Sequence, residues 1–311
     1  MCLKRQSHLC FCCAAFHAVN FVILIVMTQT SDVLLNTTSE LLLESEPVDY
    51  TKGVFQSLDA IFDVFNMPEY RNIPEVQNLL EMFDRQCQFQ SGKKYLRNRH
   101  RHIFVVIEGT PSSGSRFFSN KLVRHISGSY VMSPPNCFAV FRQFFDSQDF
   151  ILRSAFYALG NYIVAEFVKR TYFFKPVVVN RYWQSQAALG LTKEAIKGKG
   201  LPPRDSSLYR WPKDLLVPDI IFFLTKTQVI LNPTIGDSRP VLTKQFTDLM
   251  IETYTRMRDP PVIDVDGGAF KTKTFTTIKM LVNLTQQHLR DTYNAMGFSP
   301  IKSKSLHARR P

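Results

Sequence analysis

Six cysteines are too few and too badly spaced for a disulfide framework. Cys2, Cys10, Cys12 and Cys13 crowd into the first residues, while Cys87 and Cys137 stand alone in the body. An oxidised small scaffold is therefore excluded, and the body reads as reduced and intracellular. A zinc site from Cys10, Cys12, Cys13 and His17 would have to form inside an apolar run, a poor place for thiolate ligands. No Ser-His-Asp, zinc-hydrolase or dinucleotide-binding pattern is present. Acids are missing from residues 1–31 and again from residues 292–311, where Lys302, Lys304, Arg309 and Arg310 lie. A third basic cluster, Lys93, Lys94, Arg97, Arg99 and Arg101, precedes the first strong apolar run. The formal charge of +12 is thus uneven. Aromatic residues do not interleave with these cations, so they read as solvated loops and tails rather than a nucleic-acid surface.

What is present is enough apolar material, 45% of 311 residues, for one large core. Leu9 to Met27 is largely apolar behind Lys4 and Arg5. It fits a signal anchor in contact with a membrane, a cleaved signal or a hydrophobic mitochondrial presequence. Sequon Asn36-Thr37-Thr38 would matter only on the secretory route. Residues 28–48 read as a linker. Val54, Phe55, Leu58, Ile61, Phe62 and Phe65, then Val76, Leu79, Leu80 and Phe83 beyond Pro74, recur at helical spacing and predict two packed helices. The expected divisions are a leader at 1–31, a linker and helical extension at 32–99, the main domain at 100–295 and a basic tail at 296–311.

The main domain opens with Ile103–Arg116. Five apolar residues, Ile103 to Ile107, predict a buried strand that breaks at Glu108-Gly109. Gly109 and Gly114 keep the glycine spacing of a phosphate-binding loop in front of a helical pattern from Phe117 to Ile126. Such a loop needs a lysine after its second glycine and then a hydroxyl for Mg²⁺; Ser115 and Arg116 occupy those places. Further strands are expected at Tyr130–Met132, Val177–Val179, Asp219–Leu224 and Val262–Val265, with helices at about 150–168 and 274–289. Short all-apolar strands alternating with helices give an α/β fold, a three-layer parallel sheet of the P-loop NTPase type covered on both faces. Ile103–Ile107 and Val177–Val179 should both be central. Ligand would sit beyond the carboxyl ends of the strands, at Glu108–Arg116, Ser133–Asn136, Asn180–Ser185 and Asp264–Asp266.

Val106-Ile107-Glu108-Gly109, Ser133-Pro134-Pro135, the run Arg153 to Ala165, Asn180-Arg181-Tyr182-Trp183, Tyr209 to Leu216 and Pro218-Asp219 follow one another collinearly over about 70–295. With these motifs the chain resembles the thymidylate kinase family of P-loop nucleoside monophosphate kinases, most closely its mitochondrial UMP-CMP kinase branch. The resemblance implies Phe156, Tyr157 and Asn161 in a nucleoside monophosphate pocket, with an aromatic ring against the base and an amide on its polar edge. Core packing is the plainer alternative for Phe156 and Tyr157. It further implies Arg153 and Arg181 on phosphate, with Asn180 and Tyr182 beside them, a pyrimidine nucleoside monophosphate as ligand, and ATP with Mg²⁺ as co-substrate and cofactor. The departures fall on the catalytic side. Pro111 replaces a loop acid, Ser115 the lysine, Arg116 the Ser/Thr, and Asn180 the acid of an Asp-Arg-Tyr motif. Thr227–Pro240, the place of an arginine-rich lid, offers Arg239 alone. Ser112 and Ser113 complete the altered loop. Arg116 is turned about 100° from the lysine direction, and Lys121 is roughly 9 Å along the helix, so neither replaces it.

Three functions follow as alternatives. The first is a pseudokinase that keeps a nucleotide pocket. The second is a working nucleoside monophosphate kinase with a rearranged phosphate site, and the third a membrane-anchored interaction protein with an inert fold. A mitochondrial address is expected, with the secretory pathway as the alternative.

Overall fold

The computed structural model describes residues 50–87, 100–225, 244–268 and 270–298. The apolar leader, the possible cysteine–histidine zinc site, Asn36, the linker, most of the basic cluster before the first strand, the lid stretch and nearly all of the basic tail lie outside the described residues.

Five strands form one parallel sheet: β1 (Phe104–Gly109), β2 (Ser129–Met132), β3 (Val177–Asn180), β4 (Ile220–Thr225) and β5 (Val262–Asp266). Their spatial order is β2-β3-β1-β4-β5, so β1 and β3 are both internal, as expected from their unbroken apolar runs. The two-residue period of a strand divides their side chains between the faces. Phe104, Val106, Val177, Val179, Ile221 and Phe223 enter one core, whereas Val105, Ile107, Val178, Ile220, Phe222 and Leu224 enter the other. A strand with water on one face would have alternated in polarity. This one cannot, which is why the sequence reads as continuous.

The larger core is covered by α1 (Leu58–Phe65), α2 (Pro74–Met82), α5 (Phe150–Thr171), α6 (Trp183–Glu194) and α7 (Lys244–Arg256), the short α4 (Arg142–Asp146) lying beside α5. Helices α3 (Ser115–Ile126) and α8 (Lys271–Ala295) cover the smaller one. α5 is the central helix. All eight residues from Ala158 to Ala165 are buried, more than two turns, so no side of it faces water there. Its start is fixed by Asp149, whose carboxylate accepts the backbone N–H groups of Ile151 (2.8 Å) and Leu152 (3.1 Å).

The two early helices belong to the same core as the sheet, since Ile61, Val64, Phe65, Val76 and Leu79 are completely buried in it. Asp214 ties them in. One carboxylate oxygen accepts the N–H of Leu58 at 2.7 Å and the other the hydroxyl of Tyr162 at 2.6 Å. At the opposite end of the strands Arg101 grips Asp219 with two bonds of 2.6 Å, and Asp219 also accepts the N–H of Phe104. Two of the motifs that carry the family resemblance, Tyr209–Leu216 and Pro218-Asp219, thus act as fasteners. Helices α4 and α6 were not anticipated because their mixed polarity gives no clear stripe; α7 was missed although Phe246, Met250 and Tyr254 recur at one-turn spacing.

Candidate functional site

The glycine loop runs from the end of β1 into α3. Thr110 donates its N–H to the carbonyl of Leu224, and Ser113 donates to that of Thr110 at 3.1 Å, closing the turn. The chain then passes through Gly114 at φ 85°, a conformation that a Cβ disfavours. Gly109 is required for a different reason. A Cβ there would meet the Ser113 hydroxyl at 2.3 Å and the Leu224 carbonyl at 3.0 Å, so the loop could not fold back on its strand. The frame of a phosphate loop is complete in shape. Its amide complement is not, because Pro111 has no N–H and two others are spent within the fold.

Behind the loop lies a wholly buried carboxylate. Glu108 accepts the N–H of Tyr182 at 2.9 Å, the hydroxyl of Tyr254 at 3.2 Å and a short bond from the Ser185 hydroxyl. Burial pushes the Glu108 carboxyl above the ordinary carboxylate range, although these donors and nearby Arg181 oppose the shift. Tyr254 is held by stacking on Phe223, 4.0 Å between ring centres. Glu108 therefore joins β1, α6 and α7 at the base of the loop. Tyr182 belongs to this packing as well: it is buried, edge-on to Phe104 and tilted against Trp211.

In front of the loop is a cleft of about 480 Å³. Its walls are Ser112, Ser113, Gly114, Ser115 and Arg116 of the loop and α3, Met132 and Ser133 after β2, Arg142 at the head of α4, and Asn180 and Arg181 after β3. β1 and β3 are neighbours, so their loops meet there, as the strand-end rule anticipates. Arg181 takes a left-handed backbone (φ 65°) and directs its guanidinium at the Thr110 carbonyl, 3.4 Å away. Arg116 turns away from the loop toward β2, with its guanidinium 4.0 Å from the Met132 sulfur, yet still lines the cleft. The Asn180 amide oxygen faces the Ser119 hydroxyl at 3.5 Å. Lys121 is committed elsewhere, over the ring of Phe275 at 4.4 Å.

The remaining expected residues divide. Tyr157 donates its hydroxyl to Asp146 (2.6 Å) and accepts from Arg142 (3.3 Å), so it touches the cleft's wall through Arg142 without itself lining it. Asn161, one turn further on the same face of α5, is buried with neither amide atom bonded to protein. Phe156 is completely buried in a stack, 4.5 Å from Phe145 and 5.8 Å from Phe138, so its rings are core packing rather than an open platform for a base. Arg153, one turn before Tyr157 on the same face of α5, donates to the carbonyl of Asp146 and faces Lys193 electrostatically, and it is not among the residues that wall the cleft. Asp264 pairs with Arg258. Arg142 was not anticipated. It lies in a short irregular connection with no periodicity to expose it.

Mg²⁺ fits this cleft poorly. Magnesium takes oxygen ligands, one or two of them carboxylates, and no carboxylate lines the cleft among the described residues. Nor is any group of three or more His, Cys, Asp or Glu placed among them to hold a metal. No described helix is long and apolar enough to cross a membrane.

A parallel five-stranded sheet with a glycine loop opening α3 defines a kinase-type P-loop fold. The comparisons make this specific. Over 222 residues the chain is 32% identical to human mitochondrial UMP-CMP kinase 2, covering 68% of this chain and 47% of that protein. The chain is a relative of the nucleoside monophosphate kinases. It spans about half the length of that relative. Among solved structures, thymidylate kinase from Candida albicans matches with a TM-score of 0.48 and 17% identity, over 60% of this chain and 94% of that one. Deoxyadenosine kinase from M. mycoides with bound dATP matches at 0.42 and 14%, over 58% and 98%. No protein-family model matches the chain.

The raised Glu108 pKa has a defined consequence. A folded-state value above the unfolded one favours folding below about pH 4, and that contribution fades as pH rises through the folded value. Glu108→Gln, which cannot ionise, should gain melting temperature relative to the parent as pH is raised from about 4 to about 8. Thermal melts of both proteins across that range test this; a difference that stays constant would assign Glu108 ordinary titration.

Proposed function

We propose that the chain binds a pyrimidine nucleoside monophosphate in the glycine-loop cleft and has lost the ability to transfer phosphate to it: a pseudokinase of the nucleoside monophosphate kinase type. One observation carries this. The cleft presents Ser115, Arg116 and Asn180, with Pro111 in its loop, where the family pattern has lysine, hydroxyl and two acids. Phosphoryl transfer rests on positioning and on positive charge at the transferring oxygens, so losing these groups together removes several orders of magnitude in rate. The acceptor side is better kept. Arg181 lines the cleft, Tyr157 holds its wall residue Arg142, and the Asn161 amide is a buried donor and acceptor without a protein partner, which a base edge would satisfy.

A second reading, an active kinase with a rearranged site, is favoured by the same three arginines at the cleft, since guanidinium groups can also neutralise developing charge. A mitochondrial address is supported by the acid-free leader and by the mitochondrial relative. A glycan at Asn36 on the cell-expressed chain would contradict it.

Activity separates the two readings. The full chain with ATP, Mg²⁺ and UMP, CMP or dTMP should show background turnover, and Ser115→Lys alone should not rescue it. Pro111→Asp, Ser115→Lys, Arg116→Thr and Asn180→Asp combined should recover more than the single changes together, because they act as a unit. Robust turnover by the unmodified chain, abolished by Arg181→Ala, would establish the active kinase instead.

A further inference from the structure

The cleft contains more positive charge than its loop was expected to supply. Three guanidinium groups reach it from three separate elements: Arg116 from the first turn of α3, Arg142 from the head of α4 and Arg181 from the turn after β3. Among the described residues Arg116 makes no ion pair with a carboxylate, while Arg142 feels the Asp146 carboxylate electrostatically across the Tyr157 hydroxyl that both hold. The lining has no acid at all, and its remaining polar groups are serine hydroxyls and the Asn180 amide. Each arginine is held in place. Arg181 is fixed by its left-handed backbone and the Thr110 carbonyl. Arg142 is positioned by the Tyr157 hydroxyl, which Asp146 orients in turn. Arg116 lies along the flank of Met132.

We propose that Arg116, Arg142 and Arg181 form a metal-independent clamp for the phosphate of a monophosphate ester, which enters as the free dianion and not as a magnesium complex. The proposal rests on the nucleotide-binding reading above and adds what recognises the phosphate. A phosphate monoester carries about −1.5 to −2 charges at neutral pH and three acceptor oxygens, which suits convergent guanidinium forks. A divalent cation would meet three like charges and no carboxylate on the cleft wall, since Asp146 stands behind Arg142, an unfavourable exchange for its water shell. The amide at 180 fits the same logic. A carboxylate at that wall would repel a bare phosphate, whereas an amide can donate to it. Tyr157 is then a positioning residue, acting on phosphate through Arg142.

The test is calorimetric titration of the full chain with UMP, uridine and inorganic phosphate, each in EDTA and again with Mg²⁺. In EDTA UMP should bind at least about tenfold more tightly than uridine, with no gain from Mg²⁺. Arg116→Ala and Arg142→Ala should each weaken UMP about tenfold and leave uridine unchanged, and Tyr157→Phe should do so by a smaller factor. Both arginines are exposed, so the variants should melt like the parent, and Arg142→Gln gives a second check on shape. Equal affinity for UMP and uridine, a requirement for Mg²⁺, or UMP binding that survives loss of both arginines would overturn the clamp. If neither UMP nor uridine binds, the nucleotide reading fails and phosphate alone decides. Phosphate binding lost in Arg142→Ala upholds the clamp, and no phosphate binding refutes it.

Discussion

Burial of β1 and β3 on both faces is the constraint from which the rest of the structure follows. A strand covered on both sides can offer polar chemistry only where it ends. Glu108 and Gly109 at the end of β1, and Asn180 and Arg181 at the end of β3, are the first residues able to do so. Because the two strands are hydrogen-bonded neighbours, with Ile107 opposite Asn180, their end loops converge without further arrangement. Helix α3 then starts directly from the loop, and α5 presents Tyr157 and Asn161 along one face. The site is therefore a property of the sheet, and its geometry survives changes in the residues that occupy it.

At four of those positions the chain differs in one direction from the pattern that the resemblance implies. Relative to the family pattern, the exchanges at 111, 115, 116 and 180 remove two acids, a lysine and a hydroxyl, and add one arginine. Together they raise the local formal charge by two, which matches the charge of the ion that such a site would otherwise hold. On the proposed reading, the loop lacks the groups that activate a donor phosphate while the cleft suits an anion.

Much of this was legible in the residues. Apolar runs located all five strands to within one or two positions; for β1, β3 and β4 the run is unbroken because burial on both faces leaves no alternation, whereas the edge strands β2 and β5 are only partly buried. The glycine spacing located the loop. Other features were silent. Helix α8 extends further at both ends than its apolar face suggested, since its outer turns are solvated. Arg142 belongs to a short helix after a 3₁₀ turn, where no period exists to read. Phe156 differs in kind: a phenylalanine on α5 reads equally as a ring for a base or as core, and only its stack between Phe138 and Phe145 separates the two.

The central claim is that the acceptor side of the cleft outlasts the donor side. Titration of the full chain with ATP against UMP, CMP and dTMP measures it directly. The account predicts that at least one of the three monophosphates binds well below millimolar concentration, and that ATP binds more weakly than that monophosphate, with or without Mg²⁺. ATP binding at micromolar concentration, with all three monophosphates failing at millimolar levels, would contradict it.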